Sequence, residues 1–187
     1  MFIVFEGIDG SGKSSVITRL KEYLEGTGRK VKVTAEPTGG VIGKFVADTD
    51  DLTPEAEALL FTADRAIHTE QIKKWMADGY DVLCDRYFGS TLAYQSAAGM
   101  DIGWLKAINS KVTITPDVTI LMDIDPEISL KRVDARGEKS RFEKLDYLRK
   151  VRSAYLSMAD EFGFLTINAD RDRDTVAEEV ISKVRRI

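Results

Sequence analysis

The chain has 187 residues, of which 43% are hydrophobic and 31% are charged, and its formal net charge is −4. This composition predicts one globular domain over residues 1–187. No apolar run approaches the length of a membrane span, and no secretory or transit pattern opens the sequence, so we expect a cytoplasmic protein without a membrane partner. The negative charge argues against nucleic acid as the main partner, and the single cysteine, Cys84, excludes a disulfide within the chain.

Short apolar segments alternate with stretches of helical periodicity along the chain. We predict strands at 2–6, 31–35, 80–85, 118–123 and 165–168. A long helix is predicted to begin at Thr53-Pro54 and to end before Gly79. Strands that alternate with helices pair in parallel through helical crossovers, so the expected fold is α/β, a three-layer α/β/α sandwich with a five-stranded parallel sheet. Ligands of such sheets bind at the carboxyl ends of the strands.

Residues 7–14 read Gly-Ile-Asp-Gly-Ser-Gly-Lys-Ser and match the phosphate-loop pattern G-x-x-x-x-G-K-[ST] at every fixed position. The apolar run 2–5 precedes this segment and a helical pattern over 14–24 follows it, which distinguishes it from a chance glycine-rich turn. Backbone N–H groups of such a loop and the helix N-terminus bind a polyphosphate. We expect Lys13 to reach the β and γ phosphates and the Ser14 hydroxyl to ligate Mg²⁺.

Asp85 and Arg86 directly follow the apolar run 80–84. A carboxylate at this strand end can hold Mg²⁺ through water, and the adjacent guanidinium can bind a phosphate through two hydrogen bonds. On these residues alone, a surface ion pair is an equally good interpretation.

Pairs of residues four positions apart indicate a second binding surface. Phe61 and Arg65 would place an aromatic plane and a planar donor on one helix face, as a nucleobase requires, although a core Phe beside a solvent-tipped Arg is the commoner arrangement. Two further pairs share helix faces: Ser90 with Tyr94, and Thr91 with Gln95. These four residues either line a pocket for a sugar and base or are ordinary exposed polar residues.

The segment 131–152 contains nine basic and four acidic residues, a net charge of +5 within an acidic chain. Such a segment indicates either a local anion site or a solvated helix face with alternating charge, and charge alone favours the helix face.

Taken together, these motifs resemble the thymidylate kinase family, a branch of the nucleoside monophosphate kinases. The matching segments keep the family's order and span nearly the whole chain: 5–14, Glu36-Pro37, 60–65, 85–87, Ser90-Thr91, 93–95, 116–119, 123–127, Arg136-Gly137 and 141–143. The resemblance implies a P-loop nucleotide kinase fold with a short helical lid at about 132–142. It also implies Mg²⁺-dependent transfer of a phosphoryl group from ATP to dTMP, which gives dTDP for dTTP biosynthesis, and a homodimer that associates through helices such as 54–78.

The resemblance assigns the site residues in detail. The ATP site comprises Gly7, Ile8, Asp9, Gly10, Ser11, Gly12, Lys13, Ser14 and Ser15, and Ser14 and Asp85 lie at the metal. The dTMP site comprises Asp9, Glu36, Pro37, Phe61, Arg65, Arg86, Ser90, Thr91, Tyr94 and Gln95. Within it, Asp9 would contact the 3′-hydroxyl, Phe61 would stack on thymine and Arg65 would hydrogen bond to the edge of the base.

The resemblance also implies which residues supply the positive charge that stabilises the transition state. Some family members carry an arginine inside the phosphate loop, whereas residues 8–11 of this chain contain none. The lid is then expected to supply the arginine that stabilises the transition state, together with Lys13 and Arg86. The candidates are Arg132, Arg136 and Arg141, of which Arg136 is favoured. Two alternative functions stay open: another deoxynucleotide or nucleoside kinase of the same fold, and a P-loop switch that binds no acceptor nucleotide.

Overall fold

The computed structural model describes residues 1–134 and 145–187, which contain one parallel sheet of five strands in the order β2-β3-β1-β4-β5. The strands are β1 (Phe2–Glu6), β2 (Lys30–Ala35), β3 (Tyr80–Asp85), β4 (Val118–Asp123) and β5 (Leu165–Asn168). Strand β1 lies at the centre, where Phe2 is opposite Val82 of β3 and Ile3 is opposite Val118 of β4. The sequence prediction of five strands is confirmed, and only the start of β2 differs, by one residue.

Eight helices lie within the described residues and surround the sheet. They are α1 (Lys13–Gly26), α2 (Val41–Asp48), α3 (Pro54–Ala77), α4 (Phe88–Ala97), α5 (Ile102–Asn109), α6 (Pro126–Asp134), α7 (Leu145–Phe162) and α8 (Arg173–Val184). Helix α1 packs with α8, whereas α4 packs with α7, α5 and α3. These two groups cover the two faces of the sheet, and the predicted three-layer α/β/α sandwich is confirmed.

Burial of β1 on both faces explains why its sequence is a continuous apolar run. Phe2 and Val4 belong to a core cluster that includes Ile72 of α3, whereas Ile3 and Phe5 belong to a second cluster with Leu20 of α1. Successive strand side chains point to opposite faces, so a central parallel strand cannot show an apolar–polar alternation. This packing fixes the carboxyl end of β1, and with it the start of the phosphate loop.

Helix α3 has the predicted boundaries. The Thr53 hydroxyl accepts a hydrogen bond from the Ala56 N–H, Pro54 occupies the first turn, and Gly79 follows the helix with φ of +82°. Only 132–134 of the predicted lid, at the end of α6, fall within the described residues. No helix within 1–134 and 145–187 combines the length and apolar character that crossing a bilayer requires.

Candidate active site

The phosphate loop joins β1 to α1 and has a backbone path that only glycine accommodates at two positions. Gly7 and Gly10 have φ of +136° and +77°, which side-chain-bearing residues rarely adopt. A Cβ atom on Gly7 would lie 2.6 Å from the Met122 carbonyl oxygen, and one on Gly10 would lie 2.6 Å from the Ser129 carbonyl oxygen. Helix α1 then begins at Lys13, so its unpaired N-terminal N–H groups are available to an anion.

The ammonium group of Lys13 lies against its own loop. Its Nζ donates to the carbonyl oxygens of Gly7 at 2.9 Å and Ile8 at 3.3 Å, and it lies 3.9 Å from Asp85 Oδ1. Burial lowers the pKa of Lys13 to about 8, although the carboxylates of Asp85 and Asp9 act in the opposite direction. Polyphosphate oxygens would favour the charged ammonium over the neutral amine, so this side chain is suited to bind them.

Ser14 and Asp85 bring together two oxygen ligands of the kind that Mg²⁺ prefers. The Ser14 hydroxyl donates to Asp85 Oδ2 at 3.3 Å. The other oxygen of the carboxylate, Oδ1, is buried and accepts no hydrogen bond from the described residues. Hydroxyl and carboxylate oxygens at the end of a phosphate loop match the ligand preference of Mg²⁺, so the donor set fits the ion. Asp85 therefore faces Ser14 and Lys13, and the surface ion pair with Arg86 is not the arrangement adopted.

A cavity of about 470 Å³ adjoins the phosphate loop. Its lining includes Asp85, the loop and three arginines that come from beyond β4: Arg132, Arg171 and Arg173. Arg132 donates from Nη1 to the Ala169 carbonyl oxygen at 3.1 Å, which places the end of α6 beside the residues that follow β5. The cavity has the position and positive charge to receive the phosphates of a donor nucleotide.

A second cavity, of about 140 Å³, brings together all ten residues predicted for the acceptor site. Its lining consists of Asp9, Glu36, Pro37, Phe61, Arg65, Arg86, Tyr87, Ser90, Thr91, Tyr94 and Gln95. Asp9, Glu36 and Arg86 also line the first cavity, so the two cavities meet at these residues. Thr91 and Gln95 are only 4% and 2% exposed, and the alternative that this group is ordinary exposed polar surface is wrong.

Arg86 occupies the junction of the two cavities. Its guanidinium donates from Nη2 to Asp9 Oδ1 at 2.5 Å and from Nη1 to Ser90 Oγ at 3.0 Å, and it lies 5.2 Å from the centroid of the Tyr94 ring. The backbone of Arg86 has φ of +69°, in the left-handed region, and its N–H donates to the Phe5 carbonyl oxygen at 2.8 Å. A strained residue that its surroundings hold in place is typical of a functional site.

Arg65 is held entirely inside the protein. It is 1% exposed, so the alternative of a core Phe61 beside a solvent-tipped arginine is wrong. Its Nε donates to Glu36 Oε2 at 2.8 Å, its Nη1 donates to Asn109 Oδ1 at 2.5 Å, and its Nη2 donates to Thr91 Oγ1 at 3.0 Å. Paired in this way, the guanidinium presents a fixed donor group toward the second cavity.

Glu6 is a site residue that sequence reasoning missed. Its Oε1 accepts from the N–H groups of Tyr87 at 3.0 Å and Ser90 at 3.1 Å, and its Oε2 accepts from the hydroxyls of Ser90 at 2.6 Å and Tyr155 at 3.0 Å. Burial raises the pKa of Glu6 above its ordinary value. This carboxylate fixes the start of α4, which carries Ser90 and Tyr94. Its one sequence signal is its place as a lone charge at the end of an apolar strand.

The basic segment 131–152 divides into two kinds of residue. Arg152 pairs with both carboxylate oxygens of Asp123 at 2.7 and 2.9 Å, and Arg149 pairs with Glu127 at 2.7 Å. For Arg149 the helix-face interpretation is correct, whereas Arg152 is bound to a carboxylate at the end of β4 and does not belong to a solvated face. Arg132 instead lines the first cavity, as the anion-site interpretation predicts. Arg136 and Arg141 lie outside the described residues.

Comparison with known proteins agrees with this geometry. The family model described as "Thymidylate kinase" matches residues 5–180. The chain is 45% identical to a probable thymidylate kinase of Archaeoglobus fulgidus over 182 residues, which cover 96% of this chain and 92% of the relative. It is 41% identical to a probable thymidylate kinase of Pyrobaculum aerophilum over 191 residues, which cover 100% and 97% of the two chains. Because these matches extend over nearly the full length of each protein, the chain belongs to the thymidylate kinase family.

Proposed function

We propose that this protein transfers the γ-phosphoryl group of ATP to dTMP, giving ADP and dTDP as a step in dTTP biosynthesis. The observation that carries the proposal is the junction of the two cavities at Asp9 and Arg86. The phosphate-loop cavity suits the donor, and the cavity around Phe61 suits a nucleotide acceptor. Their phosphates would therefore meet beside the Arg86 guanidinium.

The proposed reaction depends on positioning and on charge neutralisation, because phosphoryl transfer requires little covalent work from the protein. Lys13 and the loop N–H groups bind the β and γ phosphates of the donor. Arg86 binds the acceptor phosphate. Asp9 contacts the 3′-hydroxyl of dTMP and also holds the Arg86 guanidinium in place. Ser14 and Asp85 would hold Mg²⁺, which when bound neutralises charge on the phosphates.

A panel of acceptors tests this function. With ATP and Mg²⁺ in a coupled ADP assay, we expect kcat/KM for dTMP to exceed the values for dUMP, dCMP, dAMP and dGMP. A monophosphate that outperformed dTMP by more than about tenfold would identify a different kinase of the same fold.

Phe61→Ala tests the stacking surface of the acceptor cavity. We expect the variant to bind dTMP more weakly by about 1–3 kcal/mol, the usual contribution of stacking between a base and an aromatic ring. Isothermal titration calorimetry without ATP measures this change, and Phe162→Ala, at a ring outside both cavities, is the control. If dTMP gave neither heat nor a thermal shift with the unaltered protein, the P-loop switch would replace the kinase.

We also propose that the lid segment 132–142 supplies the arginine that stabilises the transition state, and that this residue is Arg136. Arg136→Ala is then expected to lower kcat by about 10³-fold or more with little change in either KM. Arg149→Ala is a matched control because Arg149 pairs with Glu127 on the helix surface. If Arg132→Ala or Arg141→Ala produced the loss in kcat instead, the role would belong to that residue.

The proposed active form is a homodimer in the cytoplasm, where the free nucleotide pool supplies both substrates. Leu59 and Ile67 of α3 are 50% and 65% exposed and lie two helical turns apart on one face. Val41 and Phe45 of the neighbouring α2 are exposed as well. Exposed apolar side chains on two helices that pack together are of the kind that subunit interfaces bury. Sedimentation equilibrium that returned the mass of one chain would contradict the dimer.

A further inference from the structure

A buried carboxylate lies behind the acceptor cavity without lining it. Glu57 is 5% exposed and lies on α3, one helical turn before Phe61. Its Oε2 accepts a hydrogen bond from Gln95 Nε2 at 2.6 Å. Gln95 is itself 2% exposed and lines the cavity, so the carboxylate contacts a residue that faces the base.

The contact determines which end of the Gln95 side chain is available to a ligand. A carboxamide has an N–H₂ donor and a carbonyl acceptor of nearly equal size, and the hydrogen-bond partners decide its orientation. In the structure the N–H₂ group of Gln95 faces Glu57, the orientation that a carboxylate oxygen accepting a hydrogen bond selects. The carbonyl oxygen is then the polar atom that Gln95 offers to the cavity.

Arg65 also lines the cavity, and it offers hydrogen-bond donors where Gln95 offers an acceptor. Arg65 has only donors, and three of its nitrogen atoms are held by Glu36, Asn109 and Thr91. The lining of the cavity thus combines the donor group of Arg65 with an acceptor from Gln95.

This pattern complements one class of pyrimidine. Thymine and uracil present a carbonyl acceptor at position 4 and an N–H donor at position 3, whereas cytosine presents an amino donor and a ring-nitrogen acceptor at these positions. We infer that Glu57 is a positioning residue that determines specificity: it holds Gln95 as an acceptor and thereby excludes cytosine nucleotides. The inference rests on the proposed function, because it takes a pyrimidine nucleotide as the acceptor.

Glu57→Gln tests the inference with a side chain of the same size. A glutamine at this position pairs with either orientation of Gln95, so the Gln95 amide becomes free to turn its N–H₂ group toward the base. We expect the ratio of kcat/KM for dTMP to that for dCMP to fall at least about tenfold, because a site built for one hydrogen-bond polarity discriminates strongly against the other. The ratio for dTMP to dUMP should stay unchanged, since the two bases share this edge.

Two further variants separate positioning from stability. Glu57→Asp keeps the acceptor and should keep most of the discrimination against dCMP, whereas Glu55→Gln, on the exposed first turn of α3, should match the unaltered protein. A purely structural role would lower activity on all three pyrimidine nucleotides together. An unchanged ratio of dTMP to dCMP in a folded Glu57→Gln protein would overturn the inference.

NMR of the unaltered protein tests the inference even where a variant does not fold. The side-chain N–H₂ resonances of Gln95, assigned by their loss in Gln95→Met, should be protected from exchange with solvent before dTMP binds, because Glu57 already accepts a hydrogen bond from them. N–H₂ protons that exchange freely in the unbound protein and become protected only when dTMP is added would place the amide nitrogen on the base and exclude the inferred orientation. Failure of the proposed function is distinguishable, because the unaltered protein would then not phosphorylate dTMP at all.

Discussion

Lys13→Ala is expected to lower kcat by about 10²–10³-fold, the usual effect of removing one preorganised group that stabilises developing charge. The Kd for dTMP should stay nearly unchanged. Lys13 lines the phosphate-loop cavity but not the acceptor cavity, so the substitution removes charge from the donor alone. Pre-steady-state assays give the rate of transfer, and calorimetry without ATP gives the dTMP affinity.

The variant should also remain folded, because the buried ammonium does not stabilise the protein strongly. Burial lowers the pKa of Lys13 to about 8, so folding disfavours its charged form at neutral pH. Lys21→Ala, on the exposed face of α1, is the control for general effects of the substitution. If dTMP affinity fell in parallel with kcat, the separation of donor and acceptor functions between the two cavities would be wrong.

The fold could be predicted from the sequence because its signals are local. Each strand is a short apolar run, and the phosphate loop has fixed glycine positions, for one of which the geometry at Gly7 supplies the reason. Helical spacing also paired Phe61 with Arg65 correctly on one side of the acceptor cavity. A local pattern is sufficient in these cases because the interacting residues belong to one element or to its immediate continuation.

The groups that hold the site together could not be predicted, because their partners are distant in sequence. Glu6 accepts a hydrogen bond from Tyr155, 149 residues away, and Arg65 donates to Asn109, 44 residues away. Periodicity within one helix carries no information about such pairs. The net charge of segment 131–152 likewise does not tell which of its arginines face a binding site. Arg152 pairs with Asp123, whereas Arg132 lines a cavity. Only the packing of α6 and α7 separates the two cases.

Arg86→Ala is expected to lower kcat/KM for dTMP by about 2–5 kcal/mol of transition-state binding, or roughly 30- to 5000-fold. The guanidinium both contacts Asp9 and faces the proposed acceptor phosphate, so its loss removes a positive charge from the junction of the two cavities. Arg86→Lys should recover only part of the activity, because an ammonium cannot bind Asp9, Ser90 and a phosphate with the fixed geometry of a guanidinium.

The left-handed backbone of Arg86 provides a control that separates chemistry from folding. With φ of +69°, this position is strained for alanine but not for glycine, so Arg86→Gly should be more stable than Arg86→Ala by about 1 kcal/mol. Both variants lack the guanidinium and should lose activity to the same extent. Urea denaturation and steady-state kinetics on the pair measure the two effects separately. If Arg86→Gly retained much more activity than Arg86→Ala, the loss would reflect the backbone, and the guanidinium would not be the group that binds the acceptor phosphate.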